Sequence, residues 1–282
     1  MSTLIFVPVE TTAMKKKIFA IIAILLIGVF ALMTFWKSNN PADDNNPPTS
    51  PVANLSYSIV NVYPHDTSSF TQGLVIYKGQ LYEGTGEFGH SHLMKVNLQK
   101  GEIEKKISLD PEYFGEGITI LNDTIYQLTW KNKKVFVYTL PDFKKINEYN
   151  INTEGWGITN DGKSLIVSDG TNNLYFYSPD NFSLIKTQPV FEGNAPAFNL
   201  NELEFIDGFI YANQWQYPYI LKIDLSQGTV IAKADFSDLI QKVKAKDQGI
   251  EALNGIAYDS ASKKLYVTGK LWPELYEIRF NQ

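Results

Sequence analysis

Between Gln72 and Lys270 the sequence repeats one plan five times. The segments Gln72 to Gly86, Glu116 to Trp130, Glu154 to Gly170, Asn201 to Trp215 and Asn254 to Lys270 each open on a polar residue, in most cases followed by glycine. An apolar stretch comes next, then a short turn rich in Gly, Asn or Asp, then a second apolar stretch with an aromatic residue that ends in a small or polar cluster. The starts lie 44, 38, 47 and 53 residues apart. Spacing of this size is that of stacked or radially arranged units that cannot bury an apolar face alone.

Local chemistry decides between helices and strands. The turns Lys78-Gly79, Asn122-Asp123, Asn160-Asp161-Gly162, Asp207-Gly208 and Asp259-Ser260 have hairpin composition, because Gly, Asn and Asp tolerate positive φ. Apolar residues alternate along the flanking segments, and 16 Tyr with 17 Phe favour strands over a helical solenoid. More strand-like pattern succeeds each hairpin, at Leu93–Leu98, Lys134–Leu140, Leu174–Ser178, Ile220–Leu225 and Leu275–Phe280. Only Phe236–Ala245 has helical spacing. Four strands per repeat and five repeats predict an all-β, five-bladed β-propeller.

Radial packing brings equivalent positions of such repeats together around the axis. The repeat openings contribute Gln72, Glu116, Trp156, Asn201 and Asn254, and the ends of the second strands contribute Thr85, Trp130, Asp169, Trp215 and Lys270. Blades that meet one packing problem would repeat one residue. Here the framework repeats while these residues differ, which predicts a composite pocket with a carboxylate, an amine, amides and three Trp. Asp169, in Ser-Asp-Gly, reads as a turn residue. Glu202 and Glu204 alternate along one strand and so share a face, with a structural hydrogen-bonding role expected. His90 and His92 form His-x-His, which a strand would place on one face, but two ligands are too few for a metal site.

Outside the repeats, Lys15, Lys16 and Lys17 precede the uncharged run Ile18–Trp36. Its 19 residues are about the length that spans a bilayer. Basic residues before the run predict translocation of the C-terminal portion of the chain. The run is longer than a usual signal-peptide core and lacks a clear small-residue cleavage site, so a membrane anchor is favoured over a cleaved signal. Met14 is an alternative start. Residues 38–54 are rich in Pro, Asn, Asp and Ser and read as a linker. The expected organisation is a stub and membrane segment over 1–37, the linker over 38–54, and an extracytoplasmic folded domain over 55–282. The formal charge of −5 argues against a nucleic-acid partner. The absence of cysteine excludes disulfides, thiol nucleophiles and zinc–thiolate sites.

Seven short motifs, in order and at repeat spacing, resemble the plant-type glutamine cyclotransferases over about Phe70 to Phe280. They are Phe70-Thr71-Gln72-Gly73, Phe114-Gly115-Glu116-Gly117, Gln127-Leu128-Thr129-Trp130, Glu154-Gly155-Trp156-Gly157, Asn199 to Glu204, Leu253 to Ile256, and Thr268 to Pro273. The resemblance implies a five-bladed propeller that closes the N-terminal glutamine of a peptide or protein into pyroglutamate and releases ammonia. It implies Glu116 as the acid and base, and pocket roles for Phe70, Gln72, Phe114, Trp130, Trp156, Asn201, Trp215 and Lys270. Lys270 would stabilise the oxyanion. No metal would be required for catalysis, although a structural calcium in the channel is compatible with the family, and a monomer is expected. His90 and His92 depart from the family pattern, as does Gln216-Tyr217-Pro218-Tyr219, which is expected to alter the pocket rim. Competing readings are a metal-dependent, lactonase-like propeller hydrolase and a non-catalytic propeller that binds peptides or glycans.

Overall fold

Three of the five turns close as two-residue hairpins with positive φ at both central positions: Lys78-Gly79 (51° and 72°), Asn122-Asp123 (51° and 59°) and Asp207-Gly208 (48° and 92°). That backbone twist matches the twist of the strands it joins. The computed structural model describes residues 51–140 and 142–281. The run Ile18–Trp36 and most of the expected linker lie outside the described residues. Among the described residues no helix is long and apolar enough to cross a membrane.

The chain enters through β1 (Ala53–Asn54) and β2 (Tyr57–Pro64). Then β3 (Thr71–Tyr77), β4 (Gln80–Thr85), β5 (His92–Val96) and β6 (Ile103–Ser108) pair in order as one antiparallel sheet. A second is built from β7 (Gly115–Leu121), β8 (Thr124–Thr129), β9 (Lys134–Thr139) and β10 (Lys145–Asn150). A third is formed by β11 (Ile158–Asn160), β12 (Leu165–Val167), β13 (Asn173–Tyr177) and β14 (Leu184–Pro189). The short strands β15 (Phe191–Glu192) and β16 (Ala195–Pro196) precede β17 (Leu200–Ile206), β18 (Phe209–Gln214), β19 (Tyr219–Asp224) and β20 (Thr229–Asp235), and with β1 these make a seven-stranded sheet. Helix α1 (Ser237–Lys246) leads to β21 (Leu253–Asp259), β22 (Lys264–Gly269) and β23 (Glu274–Phe280), whose outer edge is completed by β2.

The helix expected over Phe236–Ala245 is therefore present, displaced by one residue. Asp235 accepts hydrogen bonds from the Ser237 amide (2.8 Å) and hydroxyl (2.6 Å) just before the first turn. Buried Phe236, Leu239 and Val243 fix it to the core. The folded unit begins earlier than Leu55, because Ala53 and Asn54 pair in parallel with Ala232 and Lys233 of β20. Their polar, Pro-flanked composition is that of a linker, but backbone pairing to a sheet edge asks little of side chains.

Side chains from successive sheets fill the spaces between them. One cluster joins the first two sheets through Val75, Leu93, Ile118 and Phe136, and equivalent clusters join the second to the third, the third to the fourth and the fourth to the fifth. A last cluster, with Tyr63, Leu74, Tyr266 and Leu275, joins the fifth back to the first. Burying a side chain such as Leu74 or Ile118 contributes about 1.5–3 kcal/mol. The innermost strands β3, β7, β11, β17 and β21 pack each against the next, and β21 packs against β3. The result is an all-β, propeller-like fold.

The inner strands approach closely. A Cβ on Gly73 would stand 2.3 Å from the Ile118 amide nitrogen, and one on Gly157 would stand 2.0 Å from the Asn201 carbonyl oxygen. This contact is the physical basis of the glycine that comes after most repeat openings. The fourth repeat has Glu202 at that point. Its carboxylate accepts hydrogen bonds from the Ile256 amide (2.8 Å) and the Leu74 amide (3.4 Å), tying β17 to β21 and β3. Glu204 accepts one from the Tyr258 amide at 2.8 Å. Both have the structural role expected of them.

Candidate active site

Four of the five inner hairpins break register where they carry a predicted site residue. The pairing skips between Thr71 and Gly73, between Gly115 and Ile118, between Leu200 and Leu203, and between Leu253 and Ile256. Bulges of this kind re-aim side chains that a regular strand would alternate between its two faces. The residues inside them include Gln72, Glu116, Asn201 and Asn254. In the third repeat Trp156 stands two residues before β11 begins.

Phe70, Gln72, Phe114, Glu116, Trp130, Trp156, Asn201, Trp215 and Lys270 all line one cavity of about 280 Å³. The structure thus gathers the nine residues to which the family resemblance gave catalytic or pocket roles. Of the other equivalent positions, Asn254 supports the site from behind. Its amide donates to Gln72 Oε1 (3.2 Å) and to the Thr71 carbonyl (3.0 Å), which leaves the Gln72 NH₂ as the group free to donate. Thr85, the last residue of β4, accepts from the His92 amide, and Asp169, in the loop after β12, accepts from Thr153, Thr171 and Tyr175; neither lines the cavity.

An acidic and a basic side chain are buried in the cavity. Glu116 is 5% exposed and Lys270 4% exposed. Burial pushes the Glu116 carboxyl well above the usual carboxylate range; the Lys270 charge opposes the shift and the Glu154 charge adds to it. Burial lowers the Lys270 ammonium, against the pull of Glu116, Glu251 and Glu87. Lys270 Nζ sits 4.4 Å from the centre of the Phe70 ring. The buried Asn201 Oδ1 has no hydrogen-bond partner among the described residues and is an acceptor ready for a ligand N–H.

Aromatic rings wall the cavity edge to face. Phe114 meets Phe70 at 6.0 Å and Trp130 at 5.6 Å, and Trp156 meets Trp215 at 5.4 Å and 88°. The arrangement is an aromatic-walled slot with a buried carboxyl, a buried amine and two side-chain amides.

A family model described as glutamine cyclotransferase matches residues 29–280. The chain belongs to the glutamine cyclotransferase family. A glutaminyl-peptide cyclotransferase of Arabidopsis thaliana is 39% identical over 228 residues, which cover 79% of this chain and 71% of the relative. The crystal structure of Myxococcus xanthus glutaminyl cyclase superposes with a TM-score of 0.77 at 35% identity, covering 82% of this chain and 99% of that one.

Within this family member, sequence reasoning missed three carboxylates. Glu87 and Glu251 line the cavity at its exposed margin. Glu154 lies behind the wall and accepts from both Trp130 Nε1 (2.7 Å) and Trp156 Nε1 (3.1 Å). The signal was present, since Glu154-Gly155 copies Glu116-Gly117, but the repeat also fits with Trp156-Gly157 in that place. The expected His-x-His strand face is not formed, because His90 belongs to a turn and only His92 to β5. Both border a second depression with Lys106 and Asp66. The Gln216 to Tyr219 segment does not line the cavity; Tyr217 and Tyr219 stack on each other instead.

For a structural calcium in the channel, the inner carboxylates are poor ligands. Glu202 already receives two backbone amides, and among the described residues no three His, Asp or Glu side chains converge as a metal site.

Proposed function

We propose that the chain cyclises the N-terminal glutamine of peptides or proteins to pyroglutamate, with Glu116 carrying a proton from the α-amine to the departing ammonia. The observation that carries this reading is a buried carboxyl, pushed above its ordinary range, that shares an aromatic slot with a buried lysine amine. The substrate amine attacks the γ-carboxamide carbon, a C–N bond forms, and charge develops on the carboxamide oxygen. Lys270 and the Gln72 NH₂ supply positive density to that oxygen. Glu116 removes one proton from the attacking nitrogen and returns it to the carboxamide nitrogen, which leaves as NH₃ when its C–N bond breaks. A free α-amine has a pKa of about 7.7–8.0, so raising the carboxyl above its ordinary range narrows the gap between the two groups that exchange the proton. Asn201 Oδ1 accepts from a substrate N–H, and the rings hold the glutamine chain folded for attack.

Acid–base chemistry by Glu116 with a cationic oxyanion partner needs no metal, so ammonia release is expected to survive a chelator. The five sheets, the five inter-sheet clusters and the closed order of inner strands support a five-bladed propeller. The basic cluster ahead of Ile18–Trp36 supports an extracytoplasmic, membrane-anchored enzyme.

The test is Glu116→Gln in the full chain, with ammonia release from a Gln-initiated peptide and the product mass as readouts. Turnover should fall by about 100- to 10,000-fold with no loss of thermal stability. Near-normal turnover would overturn the assignment. Loss of wild-type ammonia release on chelation would replace it with a metal mechanism.

A further inference from the structure

We propose that Glu154 is a positioning residue of this site: one oxygen of its carboxylate receives both indole N–H groups and sets the angle between the Trp130 and Trp156 walls. The proposal rests on the cyclotransferase reading for its kinetic consequences, although the geometry stands without it. Oε2 accepts from Trp130 Nε1 at 2.7 Å and from Trp156 Nε1 at 3.1 Å. The two indoles belong to different sheets, Trp130 just after β8 and Trp156 just before β11. Trp130 leans on Phe114, and Trp156 on Trp215. A single oxygen therefore joins two aromatic pairs into one continuous wall. Lys131 Nζ lies 4.1 Å from the centre of the Trp130 ring and holds that indole from a further direction.

Indole N–H is a donor only, and a neutral cavity wall would leave two such donors to find water. A carboxylate accepts both and does so with charge assistance. Its charge has a second effect. Glu116 is faced by Lys270 and Glu154, which act in opposite directions; Glu154 favours the protonated carboxyl and Lys270 the ionised one. Glu154 thus shapes the walls that fold the substrate and biases the proton carrier without lining the cavity itself.

Two variants separate these effects. Glu154→Leu removes both the acceptor and the charge, whereas Glu154→Gln keeps an acceptor oxygen and removes only the charge. In the full chain, Glu154→Leu should lower kcat/KM by about 10- to 100-fold, carried mainly by KM, and should flatten the tryptophan band of the near-ultraviolet circular dichroism. Glu154→Gln should recover most of KM and the dichroism, and should move the Glu116 limb of the kcat–pH profile to lower pH. If neither variant moves KM, or if Glu154→Gln is as impaired as Glu154→Leu with no displacement of the pH limb, the proposal falls. Wild-type protein that releases no ammonia would refute the cyclotransferase reading alone, and the dichroism of the two variants would still decide the indole clamp.

Discussion

His65 is held by two acceptors at once, and this fixes a prediction about stability. Nδ1 donates to the Trp272 carbonyl at 2.7 Å, Nε2 donates to Glu83 Oε1 at 3.1 Å, and Thr71 Oγ1 donates to the same oxygen at 2.7 Å. A ring that donates from both nitrogens is an imidazolium. Burial alone would lower its pKa, but the charge and hydrogen bond of Glu83 and the Trp272 carbonyl outweigh that and leave it raised. The network fastens the segment just after Lys270 to the strand that carries Gln72. His65→Phe strands the Glu83 carboxylate in the interior with only Thr71 as donor, and breaking a buried pair in this way costs about 3–5 kcal/mol. For a domain of this size that is a fall in Tm of about 6–20 °C. His65→Phe with Glu83→Gln removes the stranded charge, keeps an acceptor for Thr71, and should recover at least half of the loss. The raised pKa also sets the pH dependence. The stabilisation is complete below about pH 6.5, the unfolded value, and is lost as pH rises through the folded value. Thermal melts of the full chain from pH 5 to 9 should show that alkaline loss in the wild type and not in the double variant. A single-variant cost below about 1 kcal/mol, or a double variant as unstable as the single one, would refute the ion-pair reasoning.

Lys270→Met should reduce kcat by about 100- to 1,000-fold through loss of the oxyanion partner. Because the Lys270 charge opposes the upward shift of Glu116, the same change should move the Glu116 limb of the pH profile to higher pH, opposite to Glu154→Gln; a limb that stays fixed would show that the two groups do not interact. Glu204 is raised to about 8 by burial, against its hydrogen bonds from Tyr258 and Thr159. Its contribution is present below the unfolded pKa near 4.3 and is lost as pH rises to about 8. Glu204→Gln should therefore gain Tm relative to wild type between pH 5 and 8 and level off above, and a difference independent of pH would contradict the burial argument.

Hairpins and their turns were legible in the sequence because positive φ at Lys78-Gly79, Asn122-Asp123 and Asp207-Gly208 demands particular residues at particular places. The pairing of distant parts of the chain was not. Strand β2 joins β23 through partners such as Tyr57 and Phe280, more than 200 residues apart, and no local pattern encodes that register. The buried pair of His65 and Glu83 was also hidden, since His65 is fixed by the distant Trp272 carbonyl, and so was the link from Glu154 to Trp130, whose indole comes from the neighbouring sheet.

The site was legible for a different reason. Repeats that stack around an axis must repeat their packing residues, so departures from the repeat mark positions that packing does not dictate. The rule is incomplete, because Glu202 departs as sharply as Glu116 does: it stands where the other repeats have glycine, and both carboxylates are buried. Their partners separate them. Each oxygen of the Glu202 carboxyl accepts from a backbone amide, one from Leu74 and one from Ile256, which makes it part of the scaffold. No hydrogen bond from any described residue reaches the Glu116 carboxyl, and it opens on a cavity beside a cation. A buried acid whose hydrogen bonds are already made holds strands together; one whose bonds are left open is reserved for a ligand. Sequence symmetry can nominate both, and only the accounting of donors and acceptors distinguishes the proposed proton carrier from the tie.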